Sequence, residues 1–360
     1  MKLSFIISAL EEYAPLSLKE KWDNSGLQVG LPPEADGECT GALLCVDVTE
    51  AIIAEAVDKG CNLVISHHPL IFKGLKTLCG RTPAERIAAA AVRAGVAVYS
   101  SHTALDSTRG GVTYEMAARL GATPIRVLAP SDSRTVLVTV TCPRTAAADV
   151  RLILLDSDTA HCDYFNLDSE RINPESADSL DCIVAHTPLC RVEARVNVSS
   201  VAMLKAALRA MPGSDNIRVE VQSVADDSAA YGLGLVASFE KPIKGAELLA
   251  MVKDRFGITT VKSSAAFDPE MLVRRIALCG GSGGEFIATA ASLGAQVYIT
   301  ADVRYHDFAD AATLPMTIFD IGHFESEACA KDIFNQVIKN KFHNFPVYYS
   351  ELESNPVKYL

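Results

Sequence analysis

Five residues of this 360-residue chain have the types and positions to hold divalent metal: His67, His68, Asp106, His323 and Glu327. His67 and His68 close the apolar run NLVIS, and Pro69 prevents its continuation as a strand. His102 and Asp106 follow the apolar run VAVYS, and His323 follows TIFDIG. Neighbouring histidines within a strand point to opposite faces, but at a strand end the backbone can turn both toward one pocket. His323 and Glu327 are four apart, and a helix starting after Gly322 projects both from one face. Imidazole with carboxylate favours zinc, iron, manganese or similar ions, and the absence of thiolate ligands removes the case for a closed structural zinc site. Five ligands exceed what one four-coordinate ion takes from protein while keeping an open position. The expectation is therefore two divalent ions, about 3.5–4 Å apart and bridged by a carboxylate.

Each element also has a plainer reading. A His-His pair is commonly structural or solvated, H-x-x-x-E is a common surface pairing, and Asp106 can cap the helix that follows it. The combination carries the metal reading, because all three elements terminate apolar strands expected to share one sheet. In open α/β sheets ligands collect at the carboxyl ends of the strands. Two further loops end strands on the same side. CGGSGGE (279–285), with Gly281 and Gly283, leads into a helix, where its amides can cradle a phosphate or carboxylate or simply make a tight turn. In TADVRYHDF, Asp302, Arg304 and His306 can support the metal ligands, touch a substrate, or be structural.

The elements that must position these residues follow a regular grammar. In the first third, GALLCVDV, CNLVISHHP and VAVYSSHTALD read as strands, alternating with the helices EAIIAEAVDKG, AERIAAAAVRAG and GVTYEMAARLG. The last third repeats it, with RRIALCGGSGGEF, VYITADVRYHDF and MTIFDIGHFESE as strand-to-loop units and EACAKDIFNQVIKNK as a closing helix. Such alternation indicates βαβ units and a mostly parallel sheet. The middle differs: RTVLVTVTCP and CRVEARVNV alternate apolar and polar residues as half-exposed antiparallel strands do, with helical stretches near 145–155 and 199–211 and a polar loop, NLDSERINPESADSLD, between the halves. The fold class is thus α/β: a discontinuous metal-binding α/β body over 1–130 plus 229–360, and an inserted α+β domain over 131–228.

Composition narrows the function classes. The net charge of −11 argues against a broad phosphate-backbone-binding face, so nucleic acid is not expected as a partner. No run approaches the roughly 18 apolar residues of a membrane span. The N-terminal stretch Leu3–Leu10 is followed at once by Glu11 and Glu12, and Ile6, Ile7, Leu10 and Tyr13 describe one face of an amphipathic helix rather than an export signal. Ten scattered cysteines without a CxxC pair read as buried small hydrophobes in a reducing, cytoplasmic setting.

The stretches WDNSGLQVG (22–30), ISHHPLIF (65–72), SHTALD (101–106), CGGSGGEFI (279–287), ITADVRYHDF (299–308) and DIGHFESE (320–327) together resemble the NGG-interacting-factor-three-like family. Bacterial members of that family are often labelled GTP cyclohydrolase 1 type 2 homologues. The resemblance implies a dinuclear metal centre on His67, His68, Asp106, His323 and Glu327, with His102 beside the metals rather than on them. It also implies a PII-like inserted domain and a ring-like homohexamer with the metal sites facing an internal cavity.

Two functions of different class remain in view. One is a metal-dependent hydrolase acting on a nucleotide-like small molecule, of GTP cyclohydrolase or phosphoesterase type. In the cyclohydrolase version the attack falls on C8 of a guanine ring while the glycine loop or Arg304 holds the triphosphate; in the other version the ions clamp phosphoryl oxygens. The rival is a metal-binding regulatory or scaffold protein without turnover.

Overall fold

The computed structural model describes residues 1–32, 37–131, 135–155, 162–167, 188–197, 200–223, 231–352 and 355–358. Residues 1–131 and 229–360 pack as one compact unit, and residues 132–228 as another. The first unit contains β1 (Gly26–Val29), β2 (Ala42–Cys45), β3 (Leu63–Ser66), β4 (Ala97–Ser100) and β5 (Thr123–Pro130). The second contains β6 (Thr135–Pro143), β7 (Cys162–Leu167), β8 (Leu189–Asn197) and β9 (Arg218–Ser223). The chain then returns to the first unit with β10 (Gly232–Lys244), β11 (Lys262–Ser263), β12 (Leu272–Ser282), β13 (Val297–Ala301), β14 (Thr317–Asp320) and β15 (Val347–Tyr349).

The first unit holds two sheets rather than one. The order β1-β4-β3-β2-β15 is parallel except where β1 pairs with β4, and the order β11-β14-β13-β12-β10-β5 has a parallel trio, β12 to β14, flanked by antiparallel strands. This corrects the single shared sheet expected from the sequence: β3 and β4, which precede His67, His68 and Asp106, lie in one sheet, and β14, which precedes His323, in the other. The strand–helix grammar specifies parallel neighbours inside each terminal third. It carries no signal for pairing between the thirds.

Alternation along each strand gives each sheet two covered faces. Ala42, Leu44, Leu63, Ile65, Ala97 and Tyr99 of the first sheet share one core with Leu235, Ile276, Leu278, Val297, Ile299 and Phe319 of the second. The helix Leu3–Tyr13 buries Leu3, Ile6, Ala9 and Leu10, so of the face expected from the sequence Ile6 and Leu10 are buried while Ile7 and Tyr13 are only partly covered by the same core. The outer face of the first sheet, Leu43, Cys45, Val64 and Val98, is covered by the helices Glu50–Asp58 and Pro83–Ala94. Thr49 and Thr82 start these two helices, each side-chain oxygen accepting from a backbone amide of the first turn. Because the strands are parallel, their carboxyl ends, and the residues that follow them, gather on one side.

The second unit is a four-stranded antiparallel sheet, β7-β8-β6-β9, with the helices Ala147–Leu155 and Val201–Arg209. Val138, Val140, Val192, Leu204 and Leu208 lie in its core. Of the polar segment at 166–181, residues 168–181 lie outside the described residues. Among the described residues no helix is long and apolar enough to cross a membrane.

The second unit leaves and rejoins the first at adjacent points. β5 and β10 are antiparallel neighbours with Pro130 opposite Gly232, and the Ser131 amide donates to the Tyr231 carbonyl at 3.0 Å. A two-residue Asn-Gly turn has the geometry to join such ends. A chain in which that turn replaces the segment between Ser131 and Tyr231 is expected to keep the metal content of the full chain, measured by elemental analysis. A folded deletion variant that binds no metal would contradict placing every ligand outside the insert.

Candidate metal centre

His67 and His68 continue the line of β3 for two residues, their amides donating to the carbonyls of Cys45 and Val46 at 3.2 and 2.9 Å. The carbonyl of His68 accepts the hydroxyls of Ser66 and Ser100 at 2.8 and 3.2 Å, which holds the chain as it leaves the sheet. Beyond β4 the chain turns into the short helix Thr103–Ser107, anchored by Asp23: its carboxylate accepts from the amide and hydroxyl of Thr103. Asp106 lies inside this helix and is buried. It does not cap the next one, Val112–Arg119, whose N-cap is Gly111, so that plainer reading of Asp106 is excluded. After β14, Gly322 takes φ 92°, a conformation that a side chain would strain, and opens the helix His323–Glu327.

Glu327 is the hub. Its side chain is 2% exposed, with Oε2 at 2.8 Å from His68 Nε2 and 3.0 Å from His323 Nε2, and Oε1 at 3.6 Å from His67 Nε2. His67 Nε2 also lies 3.6 Å from Asp106 Oδ1, and the Nε2 atoms of His68 and His323 are 3.3 Å apart. His67, His68 and Glu327 offer donor atoms within 4.8 Å of one another, a group able to hold a metal ion.

Each imidazole turns Nε2 inward because Nδ1 is engaged elsewhere. His67 Nδ1 donates to the Ser101 carbonyl at 3.0 Å, His68 Nδ1 to Asp47 at 2.8 Å, and His323 Nδ1 to Asp302 at 2.7 Å. An acceptor behind the ring fixes tautomer and orientation and strengthens the imidazole as a ligand. Asp302 sits at φ 52°, the one non-glycine residue at positive φ among the described residues, so backbone strain is spent where His323 is aimed. His102 shows the same pattern, with Nδ1 at 2.9 Å from Asp23, but it borders the cluster and touches His67 and His68 through ring contacts.

Two atoms of the cluster test whether a metal fits. His67 Nε2 and Asp106 Oδ1 are fully buried and have no hydrogen-bond partner. Buried polar atoms are rarely left so, because desolvation without a partner costs about 1–3 kcal/mol. Their 3.6 Å separation is too long for a hydrogen bond. It suits two donors on one ion, since metal–donor bonds of about 2.0–2.2 Å place tetrahedral neighbours about 3.3–3.6 Å apart.

The electrostatics of the metal-free cluster point the same way. Burial disfavours the charged form of His68, but the carboxylates of Asp47 and Glu327 at its two ring nitrogens outweigh that and raise its pKa to about 10. Burial likewise opposes charge on His323, and Glu327 and Asp302 raise it to about 9. Burial pushes the Asp106 carboxyl up to about 7, whereas in Glu327 the surrounding imidazoles overcome burial and hold the carboxyl well below its ordinary range. Without metal, protons on the histidines balance the buried carboxylate. Cys279 also lines the cleft, but burial raises its thiol and keeps it protonated, in keeping with a site built on nitrogen and oxygen.

The cluster forms the floor of a cleft of about 660 Å³. Gly281 has φ 61°, and a Cβ there would sit 2.2 Å from Glu327 Oε1. Its amide is taken by Ser326 Oγ at 2.9 Å. At Gly283 a Cβ would meet Thr300 Oγ1 and Tyr298 Oη at 2.3 Å. The small residues of this loop thus make room for Glu327 and for the strand beside it. Arg304 is exposed, caps the helix Tyr305–Asp310 and pairs with Asp307 at 2.9 Å, and His306 is exposed against the Tyr305 ring; neither lines the cleft.

Sequence reasoning did not single out Asp47 or Asp23. Asp47 had a usable signal, since it follows β2 just as His67 follows β3 and His102 follows β4, and the strand-end rule applies to carboxylates as it does to histidines. Asp23 carried no comparable signal: its partners His102 and Thr103 lie some 80 positions away in the chain.

The family model described as Duf34/NIF3 (NGG1p interacting factor 3) matches residues 1–356. A protein of Bacillus subtilis (strain 168) named "GTP cyclohydrolase 1 type 2 homolog" is 27% identical over 99% of this chain and 98% of its own length. A Mycobacterium bovis protein of the same name is 28% identical over 91% of this chain and 88% of its own. Among solved structures, a Bacillus cereus protein described as related to NIF3 superposes with a TM-score of 0.72 at 25% identity, covering 100% of this chain and 99% of that one. A Staphylococcus aureus protein superposes equally well, at 0.72 and 24% identity, with the same coverage.

Proposed function

The chain belongs to the Duf34/NIF3 family, and from that premise we propose that its cleft holds two divalent ions and hydrolyses a nucleotide-like small molecule. The observation that carries the reading is the division of Glu327: Oε1 faces His67, and Oε2 faces His68 and His323. One carboxylate addressed from two sides is the arrangement of a bridging ligand. His67 and Asp106 would complete one ion's protein ligands, and His68 and His323 the other's. Zinc, iron or manganese suits these donors.

A bound pair of such ions supplies Lewis acidity, activating water and polarising the bond under attack. The chain's own residues do the rest. Asp47, Asp302 and the Ser101 carbonyl hold the imidazoles with Nε2 toward Glu327, where they would meet the ions. His102, braced by Asp23, stands at the edge of the cluster, where it can pass a proton between substrate and cleft. The names of the B. subtilis and M. bovis relatives agree with a cyclohydrolase acting on a guanine nucleotide. A homohexameric ring enclosing the metal sites and a PII-like identity for the insert belong to the same reading and rest on the resemblance in sequence, and a cytoplasmic setting rests on the cysteine usage. Nine free cysteines among the described residues agree with a reducing compartment.

The test is a metabolite screen on metal-loaded protein. Turnover of a nucleotide is expected, and it should vanish on chelation and return on reloading. Protein that carries both ions yet turns over nothing would replace the hydrolase with the regulatory or scaffold reading.

A further inference from the structure

The cleft has a polar floor and an aromatic rim. Trp22 and Phe72 both line it, yet they remain 58% and 47% exposed, with ring centroids 5.9 Å apart and planes inclined at 52°. Large exposed aromatics beside a polar cavity mark a surface that awaits a flat apolar partner.

The chain beside each ring is anchored. Trp22 precedes Asp23, which is buried and bonded to His102, Ser25 and Thr103. Phe72 follows Ile71, whose amide donates to Gln28 at 2.8 Å, so the two ring-bearing segments are tied to each other. The Trp22 ring meets the edge of His102 at 5.8 Å, and His102 in turn meets His67 and His68 at 5.4 and 5.5 Å. A ring lying on Trp22 is therefore one imidazole away from the proposed metal ligands. The cleft is also lined by the apolar Pro69, Leu233 and Phe286, beside the polar Thr103, Ser282 and Glu285.

We infer that Trp22 and Phe72 form a stacking subsite for a planar heteroaromatic ring, which they hold with one edge over the metal ligands. The inference rests on the cleft being a substrate site, and it assigns the substrate's recognition to its ring rather than to its phosphates. The anion-binding candidates agree with that assignment, because Arg304 is tied to Asp307 away from the cleft and the Gly281 amide is taken by Ser326. The ring class includes a purine base, free or carried on a ribose phosphate.

Trp22 is the chain's single tryptophan, so its emission reports the rim directly. Metal-loaded protein is titrated with guanosine, with guanosine 5′-monophosphate and with ribose 5-phosphate, and calorimetry follows binding to the variants. Guanosine and its monophosphate are expected to quench Trp22 saturably, whereas ribose 5-phosphate is not. Trp22→Leu should weaken guanosine binding about tenfold or more while Trp22→Phe stays within about threefold, the range base–aromatic stacking supplies. Both variants should keep full metal content. No saturable guanosine binding, ribose 5-phosphate binding as tightly as the nucleotide, or guanosine binding undiminished in Trp22→Leu overturns the subsite. Guanosine binding without turnover of any nucleotide removes the hydrolase and leaves the subsite standing. Metal-dependent turnover that is unaltered in Trp22→Leu does the reverse.

Discussion

Glu327→Gln protein is expected to fold like the wild type and to bind divalent metal at least about a hundredfold more weakly, beyond the roughly 10–100-fold that loss of a supporting residue costs. Glutamine keeps the volume at a site with 2% side-chain exposure, so packing gives little reason for collapse. The charge is the loss. A single carboxylate serves His67 with one oxygen and His68 and His323 with the other, and among the described residues no other acidic side chain lies within 4 Å of all three. An amide nitrogen in the place of Oε2 would also donate to the Nε2 lone pairs that an ion needs. His102→Ala makes the contrast, since His102 borders the cluster and bonds Asp23 instead. That variant should retain most of its metal and lose turnover. Elemental analysis of the two purified proteins decides the matter, and wild-type metal content in Glu327→Gln, or greater loss in His102→Ala, would exchange their roles.

Metal loading near pH 8 should release about two protons per chain, and affinity should fall about a hundredfold for each pH unit lost between 9 and 7, because ligands must shed their protons before they bind. In the metal-free protein His68 titrates near 10 and His323 near 9, so both carry the proton that an ion displaces. Below about 7 the buried Asp106 carboxyl takes up a proton as well, and the dependence steepens. The sign for stability follows from the same values. All three groups bind protons more tightly folded than unfolded, so the metal-free fold loses their contribution as pH rises, from Asp106 near 7 and from the histidines through about 9 and 10. Bound metal replaces those protons. The metal-induced rise in Tm should therefore be larger at pH 9 than at pH 6.5. Calorimetry in buffers of different ionisation enthalpy counts the protons, and loading that releases none would mean these histidines are not ligands.

The sequence by itself determined which residues end strands, and much of the local structure follows from that. Pro69 after His68, Gly322 before His323 and the four-residue step to Glu327 are local signals, and the structure puts a strand end or helix start at each. It also placed an antiparallel, half-exposed pattern in the middle of the chain, where β6 and β8 pair over their full length. Tertiary structure alone decided how those ends meet. The two terminal thirds form separate sheets that share a core, so that His68 and Glu327, 259 positions apart, come within 2.8 Å. The acceptors that aim the imidazoles, Asp47, Asp302 and the Ser101 carbonyl, stand 21 to 34 positions from their partners. The glycine loop likewise owes Gly281 to the oxygen of Glu327 that passes over it, and Gly283 to Thr300 and Tyr298. Periodicity and capping act over a turn of helix or a pair of strand residues, so they leave their mark in the sequence. A hydrogen bond between distant segments depends on where the sheets pack, and nothing local in the chain encodes it.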